Sequence, residues 1–141
     1  MGLFDTVDVL RMVDLGVNIP PILPWEYQTK CCGRDLLLVN ISPLGYITKR
    51  DHKGRWGPIT FSSWQREFRF YTAGFSKEEF FEELRRDDVT VGEYAKFLFW
   101  HHLFGNGWLQ YNVMITDNKI TTILSITSRT ELVWENPEIR L

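Results

Sequence analysis

Between Leu109 and Thr127 the chain alternates apolar and polar residues on both sides of Asp117-Asn118, two residues that tolerate positive φ. A two-residue turn there puts Tyr111, Val113 and Ile115 on one face with Ile120, Thr122 and Leu124. Gln110, Asn112, Thr121 and Ser125 take the other face. One side is then buried and the other wet, the pattern of an antiparallel sheet. Such a hairpin commits the chain to a sheet with a covered apolar face. A second hairpin follows the same grammar, with Leu36 to Ser42 and Tyr46 to Arg50 flanking Pro43-Leu44-Gly45. Pro suits the second position of a type I turn, and Gly closes it in a left-handed conformation. With Ser42 opposite Tyr46, Ile41 meets Ile47 and Val39 meets Lys49.

Other segments read as shorter pieces of the same sheet. Val7 and Val9 alternate with Thr6 and Asp8, and Trp25, Tyr27 and Thr29 alternate with Glu26, Gln28 and Lys30. Pro20, Pro21 and Pro24 hold an extended connection between them. Cys31 to Asp35 reads as a turn, and Trp64 to Thr72 as a fifth strand. Helical signals begin after Gly74. Ser76 with Glu79, and Thr90 with Glu93, are capping boxes, each opening a helix. The first helix carries a narrow apolar stripe of Phe80, Phe81 and Leu84. The expected fold is therefore α+β: a mainly antiparallel sheet built from two hairpins, with a two-helix insertion between Ser76 and Phe104. A chain of 141 residues with 44% hydrophobic and 24% charged residues fits one domain, 1–141.

The second helix, Val91 to Phe104, has almost no polar face, for only Glu93 and Lys96 are charged. At roughly 100° per residue, Val91, Tyr94, Leu98 and His102 share one side, and Phe97, Trp100 and Phe104 the other, with Phe99 and Leu103 between. It is too short to span a bilayer, which takes ~20 apolar residues. Aromatic residues are 15% of the chain, including six Trp and ten Phe. Since aromatic residues anchor interfaces, Phe97, Phe99, Trp100 and Phe104 are the expected protein-binding residues. The partner is either a host complex or a second copy of the chain.

Several stretches resemble a group of small phage and prophage proteins: Met1-Gly2-Leu3-Phe4-Asp5, then Gln28-Thr29-Lys30, then Ile115-Thr116-Asp117-Asn118. That group opens Met-Gly-x-Phe-Asp, carries a Gln-Thr-Lys strand and ends in a Thr-Asp-Gly hairpin. Here Asn118 stands where Gly is usual, and Cys31 to Asp35 replaces a simpler turn. The only two cysteines, Cys31 and Cys32, are adjacent to each other, which fits a reducing compartment, hence the host cytoplasm. The resemblance implies a phage origin. It implies no catalytic mechanism.

Chemistry is sparsely signalled. Lys49 to Trp56 is the one basic cluster; Lys49, Arg50, His52, Lys53 and Arg55 could grip phosphate while Trp56 stacks a base. A net charge of −2 argues against a global electrostatic grip on nucleic acid. His101 and His102 point about 100° apart on a helix, and adjacent Cys31 and Cys32 lack ligand spacing, so no metal is expected. No nucleophile has a placed base and no phosphate-binding glycine loop is present, so no catalytic residues and no cofactor are expected. Met1 to Thr6 fits the myristoylation pattern, but no basic cluster follows to supply a second membrane signal. No membrane partner is expected. The leading expectation is a phage-encoded binding protein that modulates or inhibits a host transcription or defence complex. The rivals are a nucleic-acid or nucleotide binder using 49–56, and a small hydrolase using His52, His101 or His102.

Overall fold

A computed structural model describes residues 5–16, 18–30, 38–50, 53–58, 67–86, 90–100, 107–128 and 131–138. Among the described residues, nine strands run in the order β1 (Asp5–Val9), β2 (Trp25–Thr29), β3 (Leu38–Ile41), β4 (Ile47–Arg50), β5 (Trp56–Pro58), β6 (Glu67–Phe75), β7 (Gly107–Thr116), β8 (Lys119–Ser128) and β9 (Glu131–Glu135). Helices α1 (Lys77–Arg86) and α2 (Val91–Trp100) join β6 to β7. All nine strands belong to one sheet, ordered β5-β4-β3-β1-β2-β6-β7-β8-β9. This corrects the expected α+β fold built from two hairpins around a two-helix insertion. The molecule is dominated by a continuous nine-stranded mixed sheet, in which β1 and β3 pair in parallel. β5 and β9 were too short and too irregular in alternation to stand out in the sequence.

The β3–β4 hairpin has the expected register, with Val39 opposite Lys49 and Ile41 opposite Ile47. Gly45 closes its turn at φ 90°, and its N–H donates to the Ser42 carbonyl at 2.9 Å. The β7–β8 turn is also as drawn: Asp117 and Asn118 take φ 52° and 62°, and Thr116 faces Lys119. Beyond that turn the expected facing set fails. Two irregularities shift β8 against β7, so that Val113 faces Ile123 and Tyr111 faces Ile126. A bulge adds one residue to a strand and so breaks the period of two. The inward residues of β8 are thus Ile120, Ile123 and Ile126, all fully buried, while Thr122 and Leu124 are only half-buried. Asn136, 4% exposed, stitches this distortion: its N–H donates to the Leu124 carbonyl at 2.9 Å and its side-chain amide to the Ile123 carbonyl at 3.0 Å.

The sheet rolls until its second strand meets its eighth. Tyr46 and Lys119 form an antiparallel bridge, with the Ile47 N–H donating to the Asn118 carbonyl at 2.9 Å and the Ile120 N–H to the Gly45 carbonyl at 2.8 Å. The tips of the two hairpins therefore pass each other, as strand stagger in a barrel requires. A Cβ on Gly45 would lie 3.0 Å from the Ile120 carbonyl oxygen, so this close approach needs a glycine. The concave side holds the core: Val7, Val9, Tyr27, Val39, Ile41, Phe68, Phe70, Leu109, Tyr111 and the three isoleucines of β8 are all buried.

One mouth of the roll is plugged by the β1–β2 connection. Val13 and Ile22 bridge across it, and Met12, Val13, Ile22 and Leu23 are buried. Its backbone polar groups are met from inside. The Tyr27 hydroxyl donates to the Leu23 carbonyl at 2.8 Å, and the Tyr111 hydroxyl donates to the Pro21 carbonyl at 3.0 Å and accepts from the Leu23 N–H at 3.2 Å. Phe70 stacks on Tyr111 and meets Tyr27 edge-on, filling the space beneath.

Candidate functional site

The helices sit where the connection plugs the roll. In α1 the Ser76 hydroxyl accepts from the Glu79 N–H at 3.3 Å, which starts the helix just past β6, whose register shifts around Gly74 (φ 79°). Phe80 and Leu84 then fall one turn apart and are buried, and Phe80 meets Trp25 edge-on at 6.2 Å. The start of α2 is a full capping box: the Thr90 N–H donates to the Glu93 carboxylate at 3.0 Å and the Glu93 N–H to the Thr90 hydroxyl at 3.2 Å.

A cleft of about 410 Å³ opens between α1 and the adjoining ends of β1 and β2. Leu10, Trp25, Phe80 and Leu84 supply apolar wall, and Asp8 and Glu26 supply charge. These two carboxylates are direct cross-strand partners. Burial, and then the charge of Glu26, raise the Asp8 carboxyl above its ordinary value of 3.8. Leu10 remains 71% exposed at the rim. In the sequence Asp8 and Glu26 were simply the outward members of two alternating strands. Only the register makes them neighbours.

Next to the cleft, α2 is tied down by its charges. Lys96 Nζ donates to the Asp14 carboxylate and to the Gly16 carbonyl, and Glu93 lies 3.9 Å from Arg11. Partial burial alone would raise the Asp14 carboxyl; the Lys96 hydrogen bond and charge, with the Gly16 N–H, outweigh it and hold it below 3.8. Val91 is 87% exposed and Ala95 is exposed. Within this chain α2 is therefore open along the Val91–Ala95 side. The reason is that its two charged residues have short polar partners in the β1–β2 connection. Phe97, Phe99 and Trp100 belong to α2, but their side chains lie outside the described residues, as does Phe104.

The basic segment spans the β4–β5 hairpin. Lys49 and Arg50 are in β4, Lys53 and Arg55 in the connection, and Trp56 in β5. Arg50 faces Trp56 across the pair, whereas Lys49 faces Gly57 one residue earlier and so projects from the opposite face. Arg50, Lys53, Arg55 and Trp56 are exposed and share this end of the sheet, and His52 lies outside the described residues. Cys31, Cys32, His101 and His102 also lie outside them. Among the described residues, no helix is long and apolar enough to cross a membrane. No protein family, curated protein or solved structure matches the chain.

Proposed function

We propose that this chain is a phage-encoded, non-enzymatic binding protein that engages a host macromolecular complex, such as transcription or defence machinery, through the helical side of its sheet. The observation that carries the reading is α2: anchored to the β1–β2 connection through Lys96 and Glu93, it leaves Val91 87% exposed. Large apolar residues at the surface beside a cleft mark interaction sites more often than isolated ones do. The cleft walled by Leu10, Trp25 and Phe80 lies on the same side, next to Arg11, which pairs with α2. The resemblance of Met1 to Asp5, Gln28 to Lys30 and Ile115 to Asn118 to small phage proteins supplies the origin. The test is tagged capture from lysate of the natural host, compared with a Val91→Glu/Ala95→Glu variant. Because both residues are exposed, the variant keeps its melting temperature while losing the co-purifying complex, as expected when interface residues are changed. A wild-type protein that stays monomeric and captures nothing specific overturns the reading.

A second reading is favoured by one observation, the exposed hairpin on which Arg50 stands opposite Trp56. That pairing suits a phosphate beside a stacked base. Binding of a single-stranded oligonucleotide that weakens steeply with salt and is lost in Arg50→Ser/Trp56→Ser supports it. Salt-independent or absent binding rejects it.

A further inference from the structure

Gln28 of β2, Tyr71 of β6 and Gln110 of β7 stand in one cross-strand row. Their sequence neighbours Tyr27, Phe70, Leu109 and Tyr111 are buried, so the alternation of the strands sends the row to the outward face. Trp108, two residues before Gln110 and therefore on the same face, stacks on Tyr71 with ring centroids 6.0 Å apart and planes at 28°. All four residues are half-buried. Among the described residues, neither the Gln28 nor the Gln110 side-chain amide has a hydrogen-bond partner. The charge around the row is neutral to acidic. The Arg69 guanidinium lies 3.5 Å from the Glu67 carboxylate, and Glu26, two residues before Gln28, is exposed on the same face. The outward face thus holds an aromatic pair with an unengaged amide on either side of Tyr71 and no surplus positive charge.

We propose that this row is a binding site for a neutral saccharide, with Tyr71 and Trp108 as its floor and Gln28 and Gln110 as the partners of its hydroxyls. A pyranose ring is apolar across its C–H faces and polar around its edge. Aromatic rings offer the matching apolar surface. Each glutamine amide offers two donors and an acceptor, the complement of neighbouring hydroxyls that both donate and accept. Adjacent strands lie about 4.8 Å apart, so the backbones carrying the two amides are about 10 Å apart with Tyr71 between them. A few placed polar groups over an aromatic surface are the usual make-up of a small-molecule site. The local charge decides the class of ligand. The phosphates of a nucleic acid would meet Glu26 and an arginine that already has a carboxylate, whereas an uncharged ligand meets no such cost. The assignment does not depend on the reading of α2 as an interaction surface.

The experiment is calorimetric titration of the full chain with cellohexaose, maltohexaose and chitohexaose, and with a thymidine hexanucleotide for contrast. At least one of the neutral hexasaccharides binds, and added salt leaves its affinity unchanged because no counterions are released. Tyr71→Ala/Trp108→Ala lowers that affinity at least about tenfold, as loss of aromatic anchors does. Gln28→Met/Gln110→Met keeps the aromatic pair and the length of both side chains. It holds the melting temperature and weakens binding by a similar factor, so the test stands even where the aromatic variant folds poorly. Arg50→Ser/Trp56→Ser, at the β4–β5 hairpin, leaves saccharide binding as it was. Failure of all three saccharides to bind overturns the proposal, and so does binding that survives the glutamine variant. Preferred binding of the hexanucleotide, weakened by salt and lost in Tyr71→Ala/Trp108→Ala, would make the row a nucleic-acid surface and also overturn it. Saccharide binding without capture of a host complex upholds the proposal and removes the reading of α2; capture without saccharide binding does the reverse.

Discussion

Asp8 is a residue whose charge works against the fold. Burial and the facing Glu26 both disfavour its charged form, so its carboxyl titrates higher in the folded chain than in the unfolded one. A carboxyl raised in this way favours the folded state only while protonated. That contribution is present below the unfolded value near 3.8 and is lost as pH rises through the folded value. At pH 7 the charged pair is therefore a burden, and Asp8→Asn should raise the melting temperature. The gain should shrink as the medium is acidified through the Asp8 titration and vanish below it. A variant less stable than wild type at pH 7 would mean that Asp8 has a compensating partner. Glycine at position 45 is constrained in the opposite sense, by geometry and not charge. Its φ of 90° is unfavourable to a residue with a side chain, and its Cβ site is 3.0 Å from the Ile120 carbonyl oxygen. Gly45→Val should cost about 1–3 kcal/mol in denaturant unfolding, the scale of a forced backbone conformation. Asn118→Gly, at φ 62° with no such contact imposed, should be neutral or mildly stabilising. Equal effects of the two substitutions would argue that the hairpin tips do not meet.

At the scale of elements, strands with a strict period of two were readable, and strands that break it were not. β1, β2 and β3 bury every second residue, so Val7, Tyr27, Val39 and Ile41 fall on one face by spacing alone. In β8 the buried residues recur every third position, Ile120, Ile123 and Ile126, because two bulges each take up one extra residue. Nothing local marks a bulge there. It is stabilised by Asn136, which reaches back from beyond β9 to the carbonyls of Ile123 and Leu124. The helix termini were legible for the opposite reason. A cap is made of residues three apart: Thr90 with Glu93 forms the full capping box, and Ser76 with Glu79 only its half, the Glu79 N–H donating to the Ser76 hydroxyl. The orientation of α2 was not legible, because it depends on Asp14 and Gly16, some 80 positions away in the chain. That tie is electrostatic and acid-labile: Asp14 is held below its ordinary value, so its contribution is present above 3.8 and lost as pH falls through the depressed value.

For the molecule as a whole, the plug of the roll depends on two phenols sealed from water. Burial raises both Tyr27 and Tyr111 far above the ordinary value of 10.0. An acid whose pKa is raised on folding stabilises the fold below its unfolded value and ceases to do so as pH climbs beyond it. In an alkaline absorbance titration of the five tyrosines, these two should ionise only with loss of tertiary structure. Tyr27→Phe should remove one late-titrating phenol from the native curve. Ionisation of all five near pH 10 in a folded protein would show that the core admits water. Taken from residues alone, the chain determined its turns, its helix starts and most of its inward-facing side chains, since these follow from preferences acting over two to four positions. Tertiary structure alone decided the parallel pairing of β1 with β3, the meeting of β4 with β8, the open side of α2 and the Asp8–Glu26 pair. Each of those joins residues far apart in sequence, through registers and bulges that the whole sheet must satisfy at once.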